Sequence, residues 1–87
     1  MILAVVGITM TKPKPEWPDR LKRFLKAELK RHDVSYGELA KRLKATGFET
    51  ETEASVANKV ARGTFTAIFF LAALEAIGCE TVNVGHV

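Results

Sequence analysis

Apolar positions recur at spacings of three and four along residues 18–77, and polar, glycine-rich breaks interrupt them. That pattern predicts four short helices, over about 18–31, 36–46, 52–62 and 67–77. In the first, Leu21, Phe24, Leu25 and Leu29 form one apolar stripe, with Trp17 just ahead of it. Its start is placed near Pro18, since proline fits a first helical turn whose N–H groups have no partner. The second opens at Ser35, with Glu38 at capping-box spacing and Val34 and Leu39 at the spacing of a hydrophobic staple. Leu39, Ala40 and Leu43 face the core, and Gly47 supplies a left-handed stop. The third is capped by Thr50 or Thr52, with Glu53 completing a box on Thr50. Val56 and Val60 mark its buried face, and Gly63 ends it.

The fourth helix, Thr66-capped and stopped at Gly78, carries apolar residues on nearly every side. A helix of that kind is expected to be buried all round. So small a domain cannot easily surround it, which points to a homodimer contact through 67–77. A core cluster of Phe65, Phe69 and Phe70 is the alternative reading. Residues 80–87, with Val82 and Val84 alternating, are read as a tail that forms at most a short strand.

The whole is expected to be one all-α domain over 17–79, with a flexible arm over 1–16. Residues 1–9 are apolar but too short for a membrane span and lack the basic flank of a secretory signal. They are read as an upstream extension before a second possible start at Met10, or as a short strand. Lys12-Pro13-Lys14-Pro15 reads as an extended tether.

Charge sharpens the picture. The 87 residues carry a net charge of +3, but residues 10–44 sum to +6 and residues 45–87 to −3. That asymmetry suits a partner with a negative backbone, self-association of unlike halves, or simply a solvated basic helix. The single cysteine, Cys79, excludes an internal disulfide and reads as a small hydrophobe. Nothing argues for an oxidising compartment, so a cytoplasmic location is expected. No nucleophile–base set, metal-spaced ligand group or phosphate-cradling glycine loop is present, so neither an enzyme nor a cofactor or small-molecule substrate is expected. Glu49, Glu51 and Glu53 alternate in a turn and read as a solvated acidic loop.

Helices two and three, joined by a polar turn, have the outline of a helix-turn-helix. Ser55, Asn58, Lys59 and Arg62 fall on the outer face of the third helix, and their chemistry suits groove reading. Tyr36 lies where its hydroxyl reaches a phosphate, or where its ring packs on the first helix. The block Tyr36-Gly37-Glu38-Leu39-Ala40-Lys41-Arg42-Leu43, then Ser55 to Gly63, then the apolar helix ending Ala76-Ile77-Gly78, resembles the Cro/lambda-repressor-like helix-turn-helix domain. The chain is also similar to small bacterial proteins of an uncharacterised domain family with an Ala57-Asn58-Lys59 … Arg62-Gly63 core. The first resemblance implies a compact four-helix module on double-stranded DNA. It implies base reading by Ser55, Asn58 and Lys59 and phosphate contacts from Tyr36, Lys41, Lys44 and Arg62. On that view Lys59→Ala and Arg62→Ala weaken binding without unfolding the protein. The sequence departs from the family in a longer turn, residues 46–53. A protein-interaction module on the same fold, antitoxin-like or an adaptor docking through the basic first helix, is the rival expectation.

Overall fold

The computed structural model describes residues 16–87. Among them stand four helices, α1 (Glu16–Arg31), α2 (Tyr36–Ala45), α3 (Glu53–Arg62) and α4 (Ala67–Ile77), then a short 3-10 turn, Val84–His86. The fold is all-helical. The expected arm and tether fall almost wholly outside the described residues.

α1 starts at Glu16, so Trp17 and Pro18 both lie within its first turn. Proline is tolerated there because the first four helical N–H groups have no intrahelical acceptor. The helix ends on an aspartate rather than a glycine. Asp33 sits at φ +56°, and the Val34 N–H donates back to the Leu29 carbonyl at 2.9 Å. This is a Schellman closure made without glycine. α2 closes the same way, with Gly47 at φ +111° and the Phe48 N–H donating to the Leu43 carbonyl at 3.0 Å.

At the start of α2, the Glu38 N–H donates to Ser35 Oγ at 3.0 Å, as the sequence predicts. The second half of that capping box is replaced. The Glu38 carboxylate instead accepts from Arg42 Nε at 2.9 Å, one turn on, while Arg42 Nη1 donates to the Ala76 carbonyl of α4 at 2.8 Å. Arg42 is therefore a tie between helices.

The core joins all four helices. Leu25, Leu39, Leu43, Val56 and Val60 are fully buried, with Phe69, Ala73, Leu74 and Ile77 closing it from α4. Each such leucine or valine contributes about 1.5–3 kcal/mol by leaving water. α3 packs against both α1 and α2, and α2 against α4. Gly63 lets α3 end against the start of α1. It sits at φ +66°, and a Cβ there would lie 2.2 Å from the Pro18 carbonyl oxygen. Only glycine meets both demands.

α4 is buried on one side only, because Ile68 and Leu71 are 73% and 71% exposed. Phe65, Phe69 and Phe70 do cluster, with centroids 5.3 and 5.8 Å from Phe65, and this aromatic wall fixes which side turns inward. The tail forms no strand among the described residues. Asn83 caps a 3-10 turn instead, its side-chain oxygen accepting from the Gly85 N–H at 2.9 Å. Any pairing with the N-terminal apolar segment lies outside the described residues. No single helix there is long and apolar enough to cross a membrane.

Candidate nucleic-acid interface

The cap of α3 decides what its outer face offers. Thr52 is the N-cap, not Thr50, and its partner in the capping box is Ser55. The Ser55 N–H donates to Thr52 Oγ1 at 3.1 Å, and the Thr52 N–H donates to Ser55 Oγ at 2.8 Å. Thr52 and Ser55 thus satisfy each other's backbone N–H groups. The Ser55 hydroxyl also donates to Glu51 Oε1 at 2.6 Å, which uses its one proton. Ser55 is thus a half-buried capping residue.

Glu51 is the unexpected member of the site. The sequence reads it as part of a solvated acidic loop, yet it is 4% exposed. The cause is local. After Gly47 the chain turns inward at half-buried Phe48, and the Glu51 N–H donates to the Phe48 carbonyl at 3.2 Å. This brings the carboxylate over the first turns of α3, where Lys59 Nζ donates to Glu51 Oε2. The Lys59 ammonium also lies 5.0 Å from the centroid of the Phe69 ring, within cation–π range. Burial pushes the Glu51 carboxyl up, but hydrogen bonds from Lys59 and Ser55 and the Lys59 charge outweigh it and hold the carboxyl below its ordinary value. A buried carboxylate needs such partners. Lys59 is accordingly paired with Glu51, with its side chain 33% exposed.

The remaining predicted residues fare differently. Asn58 and Arg62, four apart on α3, are exposed, and so share one helical face. Lys41 and Lys44, three apart on α2, are exposed as well. Among the described residues, Lys41, Lys44 and Arg62 enter no ion pair, whereas Arg42 and Lys59 both do. Tyr36 is half-buried and packs on the core. It shares a shallow hollow with Lys26 and Lys30 of α1 and with Glu53 at the start of α3. The structure therefore leaves one of the three predicted base readers, Asn58, and three of the four predicted phosphate contacts as open, exposed side chains. Among the described residues no group of three metal-ligating side chains occurs. Burial and the nearby Glu28 carboxylate push the Cys79 thiol above its ordinary value.

Residues 17–82 match the family described as a domain of unknown function (DUF6471). No curated protein and no solved structure matches the chain.

Proposed function

The chain belongs to the DUF6471 family, and from that premise we propose that it is a small DNA-binding regulator of the helix-turn-helix, lambda-repressor-like kind. It grips duplex DNA chiefly by its phosphates. The observation that carries this reading is that Lys41, Lys44 and Arg62, exposed on α2 and α3, have no carboxylate partner among the described residues, as Lys26 and Lys30 of α1 also have none. α2 and α3 are consecutive and packed together, as the motif requires. Of the three base readers Asn58 is exposed, while Ser55 and Lys59 are engaged in the cap and the Glu51 pair. Sequence preference is therefore modest, because phosphate contacts position a protein while base contacts specify the site. Binding, not catalysis, is the activity, and the cytoplasm is where such a regulator acts.

A second reading is supported by the exposed Ile68 and Leu71 on α4. Three residues apart, they form an apolar strip that no described residue covers. A second copy of this chain is the occupant that suits a DNA-binding module, since paired modules read paired half-sites. A protein-interaction module is the version of this reading without DNA.

Fluorescence anisotropy on a mixed-sequence duplex across a salt series tests the proposal. Three phosphate contacts give a slope of log K against log salt of about −3. The double variant Lys41→Ala/Lys44→Ala should flatten that slope by about 2. Equal slopes for parent and variant would overturn the assignment.

A further inference from the structure

Four large apolar side chains stand exposed among the described residues, and they fall in two places. Ile68 and Leu71, 73% and 71% exposed, lie three apart on α4. Trp17 and Val84, 48% and 76% exposed, line one small hollow between the start of α1 and the tail, together with Leu21 and Arg20. Beside Leu71 the surface is more deeply hollowed. Leu74 of α4 and Val82 of the tail wall a depression of about 590 Å³, and Glu75 and Glu80 line it too.

The two places carry opposite charge. From Gly63 to Val87 the chain has two carboxylates, Glu75 and Glu80, and no Lys or Arg. Both glutamates are exposed, and neither enters an ion pair among the described residues. Arg42 and Lys59, which touch α4, are already held by Glu38 and Glu51. α1 carries six Lys/Arg against three Asp/Glu. Of those three acids, Asp19 is taken by Lys22 at 3.6 Å and Arg23 at 3.3 Å, Glu28 is buried, and Glu16 alone is both exposed and unpaired among the described residues. Arg20, beside Trp17, gives one N–H to the Val87 oxygen and has no carboxylate partner there. Two copies meeting through like α4 surfaces would bring four free glutamates to one contact, with no Lys or Arg from either segment. Unlike surfaces set those glutamates against guanidiniums, and such complementarity selects the partner.

We infer that the protein associates with itself head to tail. Trp17 of one copy seats in the hollow beside Leu71 of the next, and Arg20 and Arg23 of the first face Glu75 and Glu80 of the second. Tryptophan and arginine are the side chains that most often anchor protein contacts. A buried indole N–H needs an acceptor, and either glutamate supplies one. Because the two surfaces differ, each copy at the end of an assembly keeps one of them free, so the contact continues into an open chain or closes into a ring. The patches are small, so the association is weak and depends on concentration. The second copy remains the occupant of the α4 strip, but the surface it offers is the start of α1 and not its own α4. The inference needs no DNA, and neither does its test.

The test is sedimentation velocity of the full chain from about 10 μM to about 1 mM, with the emission of Trp17, the single tryptophan, followed over the same range. Species larger than a dimer should accumulate with concentration, and the emission should shift to the blue as the indole leaves water. Trp17→Ala and Leu71→Arg replace exposed side chains, so each should melt near the parent's temperature while self-association weakens about 30-fold. Mixed in equal amounts, the two variants should form a dimer and nothing larger, because each supplies the surface that the other lacks. A monomer throughout the range overturns the proposal and removes the second copy from α4 as well. Association that Trp17→Ala leaves intact, or a mixture no more associated than its separate parts, overturns the head-to-tail contact alone and returns α4 to a symmetric pairing.

Discussion

On α2, Lys41 and Lys44 stand exposed, and no carboxylate among the described residues pairs with them. On α3, Lys59 occupies a position that helical periodicity also turns outward, yet it is bound by Glu51 and lies against Phe69. Both helices are ten residues long, with basic residues in the last turn. The difference comes from the turn between them. Glu51 is carried inward by Phe48 and satisfied by two α3 side chains, so one carboxylate of the loop expected to be solvated is buried while Glu49 and Glu53 stay exposed. A cation's availability is set here by a neighbour eight residues upstream, not by its place on a helical wheel.

The largest effect should come from Gly63→Ala, which breaks the seat of α3 on α1. The positive φ and the Pro18 carbonyl, 2.2 Å from the new Cβ, both oppose it. A loss of about 3 kcal/mol is expected in urea unfolding. With α3 unseated, the contrast between the two helices should vanish along with the fold. Glu51→Gln sharpens the contrast directly. It removes the charge that holds Lys59 and should cost about 2 kcal/mol, below the figure for a fully buried pair because Lys59 is partly exposed. The freed Lys59 should at the same time steepen the salt dependence of duplex binding by about one contact. Lys59→Ala, by the same logic, destabilises the domain, which the sequence alone does not suggest.

Acid should weaken the hold of Glu51 on α3. The Glu51 carboxyl is held below its ordinary value of 4.5 in the folded state. Its contribution to stability is therefore present above that pH and is lost as the pH falls through the lowered folded value. Urea midpoints from pH 7 to pH 3 should fall less steeply in Glu51→Gln than in the parent. The smallest effect concerns a region outside both helices. Asp33 takes a left-handed conformation that glycine adopts at lower cost, so Asp33→Gly should raise stability by about 0.5–1 kcal/mol in the same measurement.

Much of the fold is legible in the chain because its helix signals are local. Ser35 and Thr66 cap where their spacing to the next apolar residues places them, and Gly63 ends α3 as its position suggests. Leu25, Leu39, Val56 and Val60 are buried as their periodicity demands. The departures arise where a choice depends on tertiary neighbours. Thr52 outcompetes Thr50 as cap because Ser55 can answer it, and that same pairing removes Ser55 from the outer face. α4 is apolar throughout, so its composition could not say which side the aromatic wall would cover.

The Glu51–Lys59 pair is tested most directly by a double-mutant cycle on unfolding, using Glu51→Gln, Lys59→Met and the two together. A coupling energy of about 1 kcal/mol or more is the predicted result. Single effects that add within about 0.5 kcal/mol would contradict the account. They would return Lys59 to the outer face of α3 as a residue free to meet DNA.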